Sequence, residues 1–321
     1  MLVLPAQTKR IKIGDNNLVE IIQEGMKELG MRSEELDIFV ISSKAVATAE
    51  GRIIELSSMT VSEEAKKLSQ QCGRSPEFCE AVLAETKMRN GMVCGTCPGA
   101  ILTELKPWDT NPSDGFSIRP ALAGLTRREQ GTIITANAGL DESNTEQGTA
   151  VGWPEDPVSS ARNVRSALQK SVGARRPATR SLGEVGWRAQ WKESLPQSLG
   201  KHLLLLGAAA RRPYTHPRVA VIISDSCVRP RRWGVTAFAL TVAGIDPLRD
   251  EAGREDLFGR KLRITKEAIA DQIATAANML MGNADQSIPA VIVRDHGLAL
   301  SDYEGWVPGI EPEEDLFRGI L

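Results

Sequence analysis

Two short segments constrain this chain more than any other feature, because each predicts an apolar, β-branched strand that leads to an aspartate. Residues 133–144 contain Asp141, and residues 219–226 end with Asp225 and Ser226. Open α/β sheets place ligand and metal groups at the carboxyl ends of their buried strands. Carboxylates with amide and hydroxyl oxygens nearby suit hard divalent cations such as Mg²⁺, usually with phosphate as a further ligand. Strand-end turns rich in Asp, Asn and Ser are the structural alternative for either segment alone.

Composition and charge limit the classes of partner. The 321 residues are 41% hydrophobic and 25% charged, which is typical of a soluble globular protein of one large or two medium domains. A net charge of -2 and an aromatic content of 4% argue against a nucleic-acid partner. The longest uncharged apolar stretch, Val235 to Ile245, is shorter than the about 20 residues that span a bilayer. Since no apolar signal region follows the basic residues near the N-terminus, we expect a cytoplasmic protein without a membrane partner.

The order of predicted elements indicates a mixed α/β or α+β fold with mixed sheets. Helices and strands alternate without a regular βαβ rhythm, and the chain has neither G-x-G-x-x-G nor G-x-x-x-x-G-K-[ST], so we expect a fold that is neither Rossmann nor P-loop. Residues at about 174–216 predict an irregular insertion, either a lid or partner surface or, as we favour, a peripheral loop. The predicted helices cover residues 17–29, 76–87 and 265–281, and two more begin near Ser62 and Pro157. The predicted strands cover residues 38–41, 133–137, 235–242 and 290–293, and one more begins near Arg218.

One cysteine motif invites a zinc or redox interpretation. Cys94 and Cys97 form a C-x-x-C among five cysteines, an odd number that indicates reduced thiols. A redox site of this kind follows a strand and opens a helix, whereas Pro98 follows directly here and residues 91–93 predict a poor strand. No second C-x-x-C is present to complete a zinc site. These observations argue against both uses.

Several charged and polar groups near predicted strand ends form a set suited to phosphate chemistry. Lys44 follows the first central strand and is expected to place a point charge on a phosphate. The alternative for the arginine-rich loop after the second strand is a solvated turn. Metal-assisted phosphoryl transfer needs charge neutralisation and positioning more than a nucleophilic side chain. The remaining members of the set are Asp141, Asn144, Asp225, Arg229, Arg231 and Arg232.

A series of motifs, taken in order, resembles the coenzyme F420-0:L-glutamate ligase (γ-glutamyl ligase) family. The resemblance covers about residues 10–173 and 217–295, and several motifs in order are more specific than any one of them. The motifs are Ser42-Ser43-Lys44 followed by residues 49–52, then 136–144, 154–157, 223–226 with Arg229-Pro230, 244–248, 256–260, 270–272 and Met281-Gly282.

The resemblance implies a fold, an activity and partners. It implies a γ-glutamyl ligase-like catalytic domain over residues 1–321, with an atypical insertion at about 174–216 and a C-terminal extension at about 297–321. Members of the family use GTP and Mg²⁺ or Mn²⁺ to join L-glutamate through a γ-linkage to a deazaflavin precursor by way of an acyl phosphate, and they are typically homodimers. The same ligase chemistry on another carboxylate acceptor such as a folate, or non-catalytic binding of a nucleotide or deazaflavin, remain alternatives.

The resemblance also assigns roles to particular residues. Lys44, Asp141 and Asp225 match catalytic positions of the family. The residues that match metal ligands are Asp141, Asp225, Ser226 and Asn283; those that match nucleotide contacts are Ser42, Ser43, Lys44, Asn144, Asn283 and Gln286. In the loop after Met281 we favour Asn283 over Gln286. Residues 7–11 depart from the Gly-Ile-Pro-like turn that the family has near its N-terminus.

Overall fold

The computed structural model describes residues 1–15, 17–107, 131–173, 218–317 and 319. The predicted insertion at about 174–216 lies outside these residues, and so do residues 108–130. The described helices are α1 Leu18–Glu28, α2 Ser43–Ala49, α3 Glu63–Cys72, α4 Pro76–Met88, α5 Pro157–Gly173 and α6 Ile269–Met281. The described strands are β1 Leu2–Ala6, β2 Ile38–Ser42, β3 Ile53–Glu55, β4 Met92–Cys97, β5 Ala100–Leu105, β6 Ile133–Ala136, β7 Thr149–Val151, β8 Ala220–Val228, β9 Val235–Ala243, β10 Arg249–Asp250, β11 Lys266–Glu267, β12 Ala290–Arg294 and β13 Glu304–Trp306.

A six-stranded mixed sheet forms the centre of the described structure. Its strand order is β1-β12-β2-β8-β9-β13. Strands β2 and β8 run parallel, with Ser42 opposite Ser224, and the other neighbours in this sheet are antiparallel. Residues 38–41 of β2 are fully buried, because helices cover both faces and a continuous run of β-branched and aromatic residues fits such a position. The prediction of a mixed α/β fold with mixed sheets is therefore confirmed.

Helices pack on both faces of this sheet and bury two cores. Helices α1, α2 and α5 cover one face, with Ile22 and Leu168 fully buried there. Helix α6 covers the other face with a stripe that includes Ile269, Ile273 and Ala277, the spacing of one helical face. The predicted helix over 265–281 begins four residues late, because residues 266–267 pair with β10 as a short strand.

A second layer carries a third core and contains two corrections to the predictions. Helices α3 and α4 pack on the antiparallel sheet β4-β5-β6, and both begin as predicted, with Ser62 and Ser75 accepting backbone hydrogen bonds at their N-termini. The expectation of a poor strand over 91–93 is wrong, since β4 spans Met92–Cys97. Strand β6 belongs to this smaller sheet and exposes Ile134, so it is not the buried strand that was expected before Asp141.

The C-terminal residues take part in the fold. Strand β13 lies within the predicted extension at 297–321 and pairs with β9, so the tail adds an edge strand to the central sheet. Within the described ranges, no helix combines the length and hydropathy needed to cross a membrane.

Candidate functional site

Four chain segments meet at one edge of the central sheet because of its strand directions. Parallel strands β2 and β8 both end their paired region here. Strand β12 runs the opposite way and starts at this edge, so the preceding loop, residues 282–289, lies beside them. Strand β1 ends opposite the start of β12, so the residues that follow it, 7–11, also lie at this edge. Two backbone hydrogen bonds of 2.9 Å join these segments: the Thr8 amide donates to the Ser287 carbonyl, and the Ser42 amide donates to the Pro289 carbonyl.

These segments line a cleft of about 580 Å³. Most of the residues that line it are polar or charged, and the charged ones have both signs, which suits a phosphorylated ligand with a cation. Among the lining residues are Lys9, Arg10, Ser42, Lys44, Asp141, Ser143, Asn144, Ser224, Asp225, Ser226, Asn283 and Asp285.

Lys44 lies in the first turn of α2, directly after β2, and its ammonium group binds the Asp141 loop. Nζ donates to Asp141 Oδ2 at 2.5 Å and to the carbonyl and hydroxyl oxygens of Ser143 at 2.8 Å each. The Ser143 amide and hydroxyl donate to the same carboxylate. Burial alone would raise the pKa of Asp141, but the hydrogen bond and charge of Lys44 and the Ser143 bonds hold it below its ordinary value. Asp141 is therefore a carboxylate at neutral pH.

Asp141 reaches the cleft through a turn and not at the end of a strand. After β6, residues Asn137, Ala138 and Gly139 all have positive φ, which reverses the chain sharply. Asp141 and Val151 then exchange both backbone hydrogen bonds at 2.9 Å, which fixes the main chain beneath the carboxylate. The side chain remains 44% exposed, so it is accessible to a ligand in the cleft.

Asp225 lies on β8, just beyond a β-bulge opposite β9, and its carboxylate is held from two sides. The amide of Ser226 donates to Oδ1 at 2.8 Å, and Trp153 Nε1 donates to Oδ2. Burial raises the pKa of Asp225 above its ordinary value, and the hydrogen bonds and the charge of Lys44 offset only part of that rise. A cation in the cleft would favour the ionised form.

The loop before β12 supplies Asn283 but not Gln286. Asn283 is exposed and lines the cleft, and Asn144 Nδ2 donates to the Ala284 carbonyl at 2.9 Å, which ties this loop to the Asp141 segment. Gln286 turns back on its own loop: Oε1 accepts from the Ala284 amide at 2.9 Å, and a Cβ at Gly282 would lie 2.3 Å from Gln286 Cδ. Its side chain does not line the cleft.

The structure thus separates the predicted residues into two groups. Ser43 is buried below the cleft and does not line it. The arginines after β8 stand exposed near the tip of the β8–β9 hairpin, also outside the lining. The predicted residues brought together in the cleft are Ser42, Lys44, Asp141, Asn144, Asp225, Ser226 and Asn283.

Three contributors were missed by the sequence analysis. Ser143 and Asp285 line the cleft, and Trp153 binds Asp225 from below. The Asp-x-Ser spacing from Asp141 is a known turn pattern and offered a signal for Ser143. Trp153 directly precedes the Pro154–Pro157 motif, but nothing in its spacing indicates a carboxylate partner.

The donor atoms of the cleft fit a hard divalent cation. All of them are oxygens, from the carboxylates of Asp141 and Asp225, the hydroxyl of Ser226 and the amide of Asn283. Asp141 Oδ1 and both carboxylate oxygens of Asp225 each accept one hydrogen bond and keep a second lone pair for a metal, whereas Asp141 Oδ2 accepts two hydrogen bonds. In the described part of the chain no three His, Cys, Asp or Glu side chains cluster around a point suited to a metal, so waters or phosphate oxygens would fill the remaining positions around a cation.

Comparison with known proteins agrees with the motif order. The family model for F420-0:Gamma-glutamyl ligase matches residues 6–177 and 211–295. Proteins named Coenzyme F420:L-glutamate ligase are similar over nearly the whole chain: that of Methanothermobacter thermautotrophicus is 30% identical, covering 95% of this chain and 93% of its own. Those of Methanopyrus kandleri and Archaeoglobus fulgidus are each 31% identical, covering 97% of this chain and 94% and 93% of their own. The chain therefore belongs to the F420-0:Gamma-glutamyl ligase family.

Proposed function

We propose that this protein is a GTP- and divalent-metal-dependent ligase that joins L-glutamate to coenzyme F420-0 through a γ-glutamyl amide bond. Family membership and the names of the relatives support the reaction and both small-molecule substrates. The observation that carries the proposal is the Lys44–Asp141 ion pair beside Asp225 in one cleft. We also propose that the protein is cytoplasmic and that it is a homodimer. Light scattering of the purified protein tests the dimer.

In this proposal Asp141 and Asp225 hold Mg²⁺ or Mn²⁺, with Ser226 and Asn283 as further oxygen donors. The cation supplies charge neutralisation at the transferring phosphoryl group. The two aspartates repel each other's charge in the cleft, since the negative charge of Asp141 also raises the pKa of Asp225. A cation bound by both carboxylates would be attracted to each of them, and this attraction would offset their repulsion.

The nucleotide phosphates would lie against Ser42, Lys44 and Asn144. The ammonium group of Lys44 already donates three hydrogen bonds to Asp141 and Ser143, so it binds a phosphate oxygen by exchanging one of these bonds. A cation on Asp141 makes that exchange easier, because the carboxylate then has a second positive partner.

The chemistry proceeds in two transfers that the cleft residues position. An oxygen of the acceptor carboxylate attacks the γ-phosphorus of GTP, the bond to GDP breaks, and an acyl phosphate forms. The amine of glutamate then attacks the acyl carbon, the C–O bond to phosphate breaks, and the surplus amine proton leaves to solvent. Lys44 holds the negative oxygens in line, and no side-chain nucleophile is required.

Mass spectrometry of the reaction products tests the proposal. The protein is incubated with coenzyme F420-0, L-glutamate, GTP and Mn²⁺, and we expect a gain of one or more glutamyl units that EDTA abolishes and ATP supports less well. The variant Asp225→Asn should lose turnover more than nucleotide binding, whereas Arg232→Ala, at the exposed hairpin tip, should retain both. Metal-dependent GTP hydrolysis without a product would redirect the search to another acceptor such as a folate. Binding of nucleotide without turnover of any acceptor would contradict a catalytic role.

A further inference from the structure

Trp153 holds the Asp225 carboxylate from below the cleft. Its side chain is fully buried, and Nε1 donates to Asp225 Oδ2. The ring meets Phe238 edge-on, with centroids 6.2 Å apart and planes at 63°. Because an indole N–H can only donate, the bond selects one orientation of the carboxylate. The buried ring has no room to follow if Asp225 turns away.

The same short segment holds Asp141. Val151, two residues before Trp153, exchanges both backbone hydrogen bonds with Asp141. Gly139 lies flat against the indole, since a Cβ there would come within 2.5 Å of Trp153 Cε2. Residues 151–153 therefore contact one aspartate through the main chain and the other through a side chain. The relative position of the two carboxylates depends on where this segment lies.

Buried charges anchor Trp153 in turn. Arg52 Nε donates to the Trp153 carbonyl oxygen at 3.1 Å, and Arg52 Nη2 donates to both carboxylate oxygens of Glu85 at 2.8 and 2.6 Å. Glu85 lies on α4 and also accepts from Arg89 Nε at 2.5 Å. The second layer of the fold thus fixes the tryptophan that contacts the central sheet.

We propose that Trp153 is a positioning residue that orients Asp225 toward Asp141, so that both carboxylates meet one divalent cation. The proposal rests on the proposed function, in which these aspartates bind the metal. Hydrogen-bond partners of metal ligands characteristically contribute about 10- to 100-fold to metal affinity. We expect a loss of that size when the indole N–H is removed.

Direct Mn²⁺ binding, followed by electron paramagnetic resonance of the free ion, tests the proposal without turnover. Trp153→Phe removes the N–H and part of the ring. If the smaller ring impairs folding, Trp153 is replaced by 3-benzothienylalanine, which removes the N–H and keeps the ring shape. Both should raise the Mn²⁺ Kd by about 10- to 100-fold. Trp306→Phe, the same change at a buried residue of the same core that lies outside the cleft, should leave it unchanged.

A second set of variants separates this proposal from the one on which it rests. In an Asp225→Asn background, the change at Trp153 should add no further loss, since its effect passes through that carboxylate. If wild-type protein binds no Mn²⁺, or Asp225→Asn binds it as well as wild type, the metal site is wrong and the role of Trp153 is overturned with it. If Asp225→Asn weakens binding and the benzothienyl variant does not, the positioning role alone is overturned.

Discussion

Glu85 is a described residue at which a single polar substitution should strongly destabilise the fold. Its carboxylate is 4% exposed and binds two guanidinium groups, those of Arg89, which is 2% exposed, and Arg52, which is 20% exposed. The change Glu85→Gln keeps the shape and an acceptor oxygen but removes the negative charge that both arginines share. Removing one partner of a buried ion pair leaves an uncompensated buried charge.

The expected cost is about 3–5 kcal/mol of unfolding free energy at pH 7, most of it at Arg89 because Arg52 keeps some contact with water. Burial already lowers the pKa of Arg89 to about 10, and the charge of Glu85 opposes that fall. Without Glu85 the pKa of Arg89 falls further. The unfolded chain then binds more protons than the folded one, so the stability of the variant rises with pH toward that of wild type.

Urea unfolding followed by far-ultraviolet circular dichroism, at pH 7 and at about pH 9.5, measures both effects. Lys66→Gln is the control, since it breaks an exposed ion pair with Glu63, with side chains 52% and 82% exposed, and should cost less than about 0.5 kcal/mol. A loss for Glu85→Gln within the range of the control, or one that grows as the pH rises, would refute the reasoning.

Three further changes test separate features of the molecule. Lys44→Met should lower the rate of glutamate incorporation about 100-fold or more, since it removes the point charge proposed for the phosphates, and a near-normal rate would exclude that role. Gly139→Ala should lower the free energy of unfolding, measured by thermal unfolding, by about 2–5 kcal/mol, because its φ is 77° and a Cβ would meet Trp153. The control Gly99→Ala has a φ of 85° but open space around a Cβ, and it should lower that free energy by about 1–2 kcal/mol. Ser62→Ala should cost about 1 kcal/mol by the same measurement through loss of the cap of α3, and no change would show that the cap is dispensable.

The elements with strong local signals were predictable from the sequence. The buried runs at 38–41 and 220–223 were predictable parts of β2 and β8, because no polar residue interrupts either run before Ser42 and Ser224. Ser62 and Ser75 mark two helix starts because their hydroxyl groups accept otherwise unpaired amides. Strands β4 and β11 escaped prediction, since each depends on pairing with another strand, β5 and β10 respectively, more than on its own side chains.

The candidate site was predictable in its residue types and less so in its geometry. Residues at the end of the paired region of β2 and β8 meet because those strands are parallel neighbours. The sequence analysis identified Lys44 and Asp225 from the runs that precede them, and Ser42 from the family resemblance. Gln286 and Ser43 carry suitable chemistry but turn away from the cleft, one packed on Gly282 and the other buried. Whether a polar side chain near a strand end faces a ligand depends on one or two dihedral angles, which spacing does not specify.

Asp141 and Asp225 lie in one cleft although they belong to different parts of the fold. Asp225 lies on a strand of the central sheet and Asp141 lies in a loop, so the rule that ligand groups gather at the carboxyl ends of neighbouring strands applies to Asp225 and not to Asp141. Asp141 depends on a chain reversal with positive φ, on its backbone pairing with Val151, and on the salt bridge to Lys44. Of these, the salt bridge joins the Asp141 loop to α2, the helix that directly follows central strand β2. The layer therefore completes the cleft as well as covering the core, and a substitution that loosens Glu85 or Trp153 should separate the aspartates before it unfolds either sheet.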